Sequence, residues 1–275
     1  MTAFARPAVM GVLNVTPDSF SDGGAFLNPA AAMAHARLMV AEGADLVDVG
    51  GESTRPGAPP VPADEELRRV MPVIDLLAEQ GGIPISIDTS KAAVARAAAG
   101  AGAVLVNDVT ALRGDPGMAA VVAESGVDLC LVHMRGDPQT MQDDPRYGDV
   151  VSEVRAFLEE RLSFAIGNGI PEERVWLDPG IGFGKTLEHN LELLRRLGEI
   201  VAVGPPVVIG VSRKRFLGTL TGRSEPDRAA GGLAANVLAF ERGAHMFRVH
   251  DVSATRDALT VAAATVGGAA DAEGM

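Results

Sequence analysis

The chain has few of the residues that would indicate a secreted, disulfide-bonded or membrane-bound protein. Among its 275 residues there is one cysteine, Cys130, and a single cysteine cannot form an internal disulfide. We find no run that approaches the roughly 18 apolar residues of a membrane span, and no signal peptide of a basic stretch followed by an apolar one. We therefore expect a buried Cys130 thiol, no membrane partner and a cytoplasmic location.

Positive charge is also scarce. Lysine and arginine total 24 against 36 aspartates and glutamates, which gives a net charge of -12. No basic tract or stripe occurs, so the sequence predicts no nucleic-acid partner. Any anionic substrate would have to be attracted by local arginines and lysines against the field of the whole molecule.

The sequence is rich in short apolar runs that alternate with longer, helix-like segments. These runs are nearly continuous in valine, isoleucine and leucine, which is typical of parallel strands buried on both faces. They cover residues 9–14, 44–50, 83–88, 103–107, 127–133, 175–178, 207–212 and 246–250. The segments between them carry apolar residues at spacings of three and four, as in Leu67, Ile74 and Leu77, which is typical of helices with one buried face.

Eight strands alternating with eight helices predict a single-domain (β/α)8 TIM barrel over residues 1–275, with a frayed tail from about residue 267. A doubly wound open sheet is the structural alternative. The count of eight and the absence of a Gly-x-Gly-x-x-Gly turn after the first strand favour the barrel.

Polar residues with chemical capability follow nearly every predicted strand. They include Asn14, Arg55, Asp88, Asn107, His133, Asp178, Lys214, Arg248 and His250. In a βα barrel the carboxyl ends of the strands meet at one face, where the loops build the active site. The pattern therefore predicts an enzyme whose site lies at that face.

The chemistry of these side chains suggests two parts of a ligand. Amide and carboxylate groups that could pair with a flat, hydrogen-bonding heterocycle are offered by Asp88, Asn107 and Asp178. Charge-assisted donors for a phosphate or carboxylate are offered by Arg55, Arg248 and His250. The carbonyl oxygen of Asn14 could help to hold Mg²⁺, which keeps most of its waters and relies on substrate phosphates.

Three loops require separate interpretation. Residues 16–24 and 53–57 are glycine-containing and long for a βα connection, as expected of lids over an active site. Residues 180–186 (GIGFGKT) end like a phosphate-binding P-loop, but Pro179 stands where that motif needs its first glycine. We therefore reject nucleoside triphosphate hydrolysis.

Taken together, these motifs resemble the dihydropteroate synthases over about residues 9–266. The matching segments are residues 11–23 (GVLNVTPDSFSDG), 51–57 (GESTRPG), 86–89 (SIDT), 106–108 (VND), 133–136 (HMRG), 178–185 (DPGIGFGK), 212–214 (SRK) and 248–252 (RVHDV). The resemblance implies a barrel enzyme of folate biosynthesis, a target of sulfonamides, that joins a pterin pyrophosphate to p-aminobenzoate. It also implies a homodimer and a Mg²⁺ cofactor.

The resemblance assigns roles to individual residues. The pterin would be held by Asp88, Asn107, Met134, Asp178, Lys214 and Arg248. The pyrophosphate would be held by Asn14, Arg55, Arg248 and His250, with Asn14 also a ligand of Mg²⁺. The p-aminobenzoate pocket would be formed by Phe20, Ser21, Thr54, Pro56, Phe183 and Lys214. The catalytic set would be Asp22, Arg55, Lys214, Arg248 and His250, with Asp22 stabilising a cationic pterin intermediate.

Two positions depart from the family pattern. Arg215 stands where many members have a serine that contacts the carboxylate of p-aminobenzoate. The loop at residues 109–113 differs from the usual run of small residues, and we expect no chemical role for it.

Three other functions are compatible with part of the pattern. A pterin-binding methyltransferase would share the pterin-holding residues, but it needs neither the loop arginine nor the aminobenzoate pocket. A non-catalytic paralogue that only binds pterin is disfavoured by the intact residues Asp22, Thr54 and Arg55. A Schiff-base aldolase that uses Lys214 is the weakest alternative.

Overall fold

Eight parallel strands form one sheet in the computed structural model, which describes residues 6–16 and 29–267. The strands are β1 (Ala8–Asn14), β2 (Leu46–Gly50), β3 (Ile85–Asp88), β4 (Leu105–Asp108), β5 (Asp128–Val132), β6 (Val175–Asp178), β7 (Val208–Ile209) and β8 (Met246–Val249). The order is β6-β5-β4-β3-β2-β1-β8-β7, and a parallel bridge between Leu177 and Val207 joins the two ends. The sheet is therefore a closed barrel, which confirms the predicted fold and excludes the open doubly wound sheet.

The helices lie outside the barrel and follow the strands along the chain. They are α1 (Pro29–Ala41), α2 (Ala63–Gln80), α3 (Ala92–Gly100), α4 (Met118–Ser125), α5 (Val150–Gly167), α6 (Leu187–Arg195), α7 (Gly198–Val201), α8 (Arg215–Thr221), α9 (Ala229–Glu241) and α10 (Val252–Gly267). The described ranges thus contain ten α-helices instead of the predicted eight, because the short helices α7 and α8 add one turn or two to a connection. None of the helices described is both long enough and apolar enough to span a bilayer.

The alternation of side chains along each strand divides the core into two parts. In β2, Val47 and Val49 point outward and pack with the apolar faces of the helices, whereas Leu46 points into the barrel. Cys130 also points inward and is fully buried, as the sequence predicts. Inward positions at the carboxyl ends of four strands carry the polar residues Asp88, Asn107, Asp178 and Arg248, so the fold collects polar groups at that end.

Strand β7 is shorter than the sequence suggests. The apolar run predicts a strand over residues 207–212, but ladder pairing covers only Val208–Ile209. Beyond it the chain turns, and Arg213 adopts a positive φ of 58°. This turn brings Ser212 and Lys214 to the cavity described next.

Candidate active site at the carboxyl ends of the strands

A cavity of about 690 Å³ opens at the carboxyl ends of the strands. Eight of the residues selected from the sequence line it: Asn14, Thr54, Arg55, Pro56, Phe183, Lys214, Arg248 and His250. Four others do not line it and are nearly inaccessible to solvent: Asp88, Asn107, Met134 and Asp178. The remaining three, Phe20, Ser21 and Asp22, lie outside the described residues, as does nearly all of the first predicted lid.

Arg248 connects the cavity to the buried acceptors. Its Nε donates to Asp48 Oδ2 at 2.6 Å and its Nη2 donates to Asp88 Oδ2 at 2.7 Å. Asn107 Nδ2 donates to the same oxygen of Asp48 at 3.2 Å. Burial raises the pKa of Asp88 to about 7; Arg248 limits this rise and Asp48 adds to it. Arg248 itself stays charged, because the two carboxylates raise its pKa against the effect of burial.

Lys214 and Asp178 form a second pair of opposite charges, close to Arg248. Burial lowers the pKa of Lys214 to about 8, and attraction to Asp178 opposes the fall. The ammonium group lies 4.5 Å from the centre of the Phe183 ring and donates to the carbonyl oxygen of Ile181. Asp178 Oδ1 accepts from the backbone N–H of Gly180 at 2.7 Å. Burial raises the pKa of Asp178, and Lys214 opposes that rise.

His250 lines the cavity next to Ser212. The backbone N–H of His250 donates to Ser212 Oγ at 3.2 Å, and its ring Nδ1 lies 3.0 Å from the same oxygen. Burial, together with the charges of Arg213 and Arg248, lowers the pKa of His250 to about 3. The imidazole is therefore neutral at pH 7 without a bound anion, so it offers an uncharged donor where the sequence suggested a charge-assisted one.

Arg55 is turned toward another acidic residue at the rim. Its Nη2 lies 3.0 Å from Glu225 Oε1, and the two side chains are 60% and 49% exposed. Glu225 opens the 3₁₀ turn Glu225–Arg228, so this ion pair joins the loop after β2 to the segment after α8. The pair is exposed and therefore easily exchanged for another partner.

The P-loop-like segment has a structural explanation. Lys185 is buried, and its Nζ donates to the carbonyl oxygens of Gly180 and Phe183 at 2.9 and 3.0 Å. It also lies 2.9 Å from His133 Nδ1. These contacts fix Lys185 against the loop that carries Phe183, and burial lowers the pKa of Lys185 well below its usual value. Its role is therefore to hold the loop.

Several residues at the mouth were not selected from the sequence. Asp48 binds both Arg248 and Asn107, and Glu225, Arg228 and Arg215 line the cavity. Asp48 could have been noticed as the one carboxylate inside the apolar run Leu46–Gly50, at an inward position. The loop at residues 109–113 also supports the site indirectly, because Arg113 Nη2 donates to the carbonyl oxygen of Met134 at 3.0 Å.

A divalent cation fits this donor set only with help from a substrate. Among the described residues no group of three or more His, Cys, Asp or Glu side chains could hold a metal ion. Asn14 supplies one amide oxygen at the cavity wall. Because Mg²⁺ is commonly bound through few protein groups together with phosphates and water, the residues present suit a cation that arrives with a phosphorylated ligand.

Comparisons with known proteins agree with this geometry. The family model described as pterin binding enzyme matches residues 10–250. The dihydropteroate synthase of Escherichia coli strain K12 is 47% identical over 262 residues, which cover 95% of this chain and 93% of the relative. The Yersinia pestis dihydropteroate synthase in complex with a sulfonamide drug has a TM-score of 0.93 at 43% identity, with 98% and 99% of the two chains covered. The Xanthomonas albilineans dihydropteroate synthase with 4-aminobenzoic acid has a TM-score of 0.90 at 52% identity, with 96% and 94% covered.

Proposed function

Because the chain belongs to the dihydropteroate synthase family of pterin-binding enzymes, we propose that its barrel mouth carries out that family's condensation. The reaction joins 6-hydroxymethyl-7,8-dihydropterin pyrophosphate to p-aminobenzoate and gives 7,8-dihydropteroate and pyrophosphate. The observation that carries the assignment to this site is the pairing of buried acceptors with cations of the cavity wall. Arg248 binds Asp88, and Lys214 attracts Asp178.

The pterin is bound by the acceptors under the cavity. The carboxylates of Asp88 and Asp178 and the amide of Asn107 can accept from the ring N–H and amino groups. These three residues are each less than 10% exposed, so hydrogen bonds to them form in a low-dielectric environment. Lys214 and Arg248 cover the acceptors from the cavity side, with Met134 packed below the mouth.

The pyrophosphate is bound by the cavity wall. Arg248 and His250 line it, and Arg55 can reach an anion by releasing Glu225. Asn14 would hold Mg²⁺ together with phosphate oxygens and water, and when bound that cation neutralises charge on the leaving group. A basic lining of this kind concentrates an anionic substrate although the whole chain carries a net charge of -12.

The p-aminobenzoate is bound beside Phe183 and Lys214, with Thr54 and Pro56 on the opposite loop. The complex of the Xanthomonas relative with 4-aminobenzoic acid supports this assignment. The sulfonamide complex of the Yersinia relative supports the expectation that the same pocket is a sulfonamide target.

The chemical step begins with cleavage of the bond between the pterin methylene carbon and the pyrophosphate oxygen. The electron pair leaves with pyrophosphate, and the pterin ring delocalises the positive charge that remains. The amine nitrogen then forms the new C–N bond and loses a proton. Preorganised charges usually contribute most of such a rate enhancement. Arg248, Arg55 and His250 stabilise the leaving group, and the family resemblance assigns stabilisation of the cation to Asp22.

Product formation by the purified protein tests this function. The pterin pyrophosphate, p-aminobenzoate and Mg²⁺ are incubated with the protein, and dihydropteroate and pyrophosphate are quantified by chromatography and mass spectrometry. We expect the two products in equal amounts, and no dihydropteroate when p-aminobenzoate is left out. Pterin binding without product would identify a binding-only paralogue and would contradict the proposal.

The setting of the enzyme is also proposed. The family resemblance supports a homodimer, and the single buried cysteine and the metabolic role support a cytoplasmic location. Sedimentation of the purified protein tests the first, with a mass near twice 28.4 kDa expected. A monomer at micromolar concentration would contradict it.

A further inference from the structure

Asp48 lies in the middle of β2 and points into the barrel, two residues before the polar mouth. The strand register places it opposite Ser86 of β3. Its side chain is fully buried and does not line the cavity. Any effect of Asp48 on a ligand must therefore pass through its neighbours.

Two of those neighbours are proposed pterin ligands. Asp48 Oδ2 accepts from Arg248 Nε at 2.6 Å and from Asn107 Nδ2 at 3.2 Å. One carboxylate oxygen thus fixes two side chains that come from strands on opposite sides of β2. The two donors are 200 and 59 residues distant from Asp48 in sequence.

The contact with Asn107 determines which end of its amide faces the ligand. An ionised carboxylate can only accept hydrogen bonds, so it selects the orientation in which the NH₂ group points toward Asp48. The amide oxygen is then left to accept from a ligand. With Asp88 and Asp178 nearby, the site presents a set of acceptors that matches the N–H groups of a pterin.

The contact with Arg248 fixes the guanidinium in the same way. The Nε of Arg248 donates to Asp48 and its Nη2 donates to Asp88 at 2.7 Å. Two carboxylates therefore hold the guanidinium plane at two edges. The remaining N–H groups of Arg248 are available to a ligand in the cavity. Losing Asp48 would leave this plane held on one side only.

Asp48 is poorly suited to a purely structural role. Within the described part of the chain its Oδ1 has no hydrogen-bond partner, and neither has the hydroxyl of Ser86 on the adjacent strand. An unpaired buried oxygen lowers stability, so satisfied hydrogen bonding alone does not explain a carboxylate here. A functional reason for the carboxylate is therefore to be expected.

We propose that Asp48 is a positioning residue for the pterin: it orients the Asn107 amide and the Arg248 guanidinium from beneath the site. This inference rests on the proposed function, because it assumes that those two residues bind the pterin.

The test compares Asp48→Asn with Asp128→Asn. Asp128 is a matched control, since it is also a buried inward carboxylate of this barrel and accepts from Trp176 Nε1 at 3.0 Å, away from the mouth. The dissociation constant of the pterin pyrophosphate is measured by calorimetry without p-aminobenzoate. The KM for p-aminobenzoate is measured in turnover at saturating pterin substrate.

We expect Asp48→Asn to weaken pterin binding by about 10- to 100-fold, the loss typical of a hydrogen bond to a charged group. The KM for p-aminobenzoate should change by less than about twofold, since Phe183 and Lys214 are untouched. The control should leave both constants near those of the unmodified protein. A general loosening of the barrel would instead affect both variants and both substrates.

A double variant, Asp48→Asn with Asn107→Asp, provides the rescue. The exchange keeps the net charge and a hydrogen bond between the two positions, and it leaves an acceptor oxygen facing the pterin. We expect it to recover part of the lost affinity, by at least about threefold, since it restores the contact with position 107 but not the carboxylate that binds Arg248.

The inference is overturned if Asp48→Asn binds the pterin substrate within about twofold of the unmodified protein, if the control loses as much affinity, or if the double variant recovers nothing. Failure of the proposed function is distinguishable from these results, because then the unmodified protein itself would form no dihydropteroate.

Discussion

Burial and mutual attraction set the charge of the ionisable residues at the barrel mouth. Asp88 lies beneath the cavity beside Arg248, and burial raises its pKa to about 7. Lys214 lies at the cavity wall, where burial lowers its pKa to about 8. The reaction needs Asp88 as a carboxylate and Lys214 as an ammonium. Both forms are therefore present together mainly between these two pKa values.

The pH dependence of kcat/KM for the pterin substrate should be bell-shaped. Activity rises as the pH increases through about 7, because ionised Asp88 accepts hydrogen bonds from the pterin. It falls as the pH increases through about 8, because Lys214 loses its proton. Initial rates from about pH 5.5 to 9.5 provide the measurement. In the Lys214→Arg variant the decline of activity at alkaline pH should disappear, since arginine stays charged. A flat profile between about pH 6 and 9 in the unmodified protein would contradict these roles of Asp88 and Lys214.

The loop between β6 and α6 depends on a glycine that no other residue can replace. Gly180 has a φ of +66°, and a Cβ atom there would lie 1.8 Å from the carbonyl oxygen of His133. Gly169 also has a positive φ, of +85°, but nothing lies within 4 Å of its Cβ position. An alanine at position 180 therefore carries the costs of both steric overlap and backbone conformation. An alanine at position 169 carries only the cost of the backbone conformation.

Gly180→Ala should lower the free energy of unfolding by about 3 kcal/mol or more, because backbone atoms must move. Gly169→Ala should cost about 1–2 kcal/mol, the penalty for a left-handed alanine. Urea unfolding of both variants provides the measurement. Equal losses in the two variants would show that the overlap at Gly180 is relieved without cost.

Substitution of Glu225 removes the ion pair with Arg55 that joins the loop after β2 to the 3₁₀ turn Glu225–Arg228. Glu225→Gln should strengthen binding of inorganic pyrophosphate about two- to fivefold, because Arg55 no longer has to leave an ion pair. Asp227→Asn is the matched control, since it removes the same charge from the same turn but contacts Ser224 instead of Arg55. Calorimetric titration gives both constants. If the control improves as much as Glu225→Gln, the effect is due to net charge and the ion pair is irrelevant.

The strands were predictable from sequence because apolar runs of that length have few other interpretations. The ends of the strands were less predictable, because the run predicts a strand over residues 207–212, yet the ladder ends at Ile209. Helices α7 and α8 were missed because segments of four and seven residues carry too little periodicity.

In the whole molecule, the strands of the closed barrel contribute side chains to both the inner and the outer part of the core. Trp176, the one tryptophan of the sequence, lies inside the barrel and reports on its interior, whereas circular dichroism reports mainly on the outer helices. We expect tryptophan fluorescence and circular dichroism to give the same urea midpoint, as in cooperative unfolding of one unit. Midpoints that differ beyond error would show that part of the barrel unfolds separately.

The position of the site was predictable from the whole sequence, but its internal contacts were not. Polar residues that follow the strands had to meet at one face once the barrel closed. The partner of each residue depends on three-dimensional distances: Arg55 contacts Glu225, 170 residues away, and Arg248 contacts Asp48, 200 residues away. Such pairs leave no local pattern in the sequence, and the neutral state of His250 likewise follows only from its burial.

In the proposed mechanism this barrel mouth stabilises a departing pyrophosphate and a pterin cation, so that bond cleavage runs ahead of attack by the amine. The most direct measurement is the single-turnover rate of dihydropteroate formation with saturating, ring-substituted p-aminobenzoates whose amine basicities span about two pKa units. We expect rates that agree within about threefold across the series, because the nucleophile takes little part in the rate-limiting step. Rates that rise nearly in proportion to basicity, by about 100-fold over the series, would contradict it and would show that the amine displaces pyrophosphate directly.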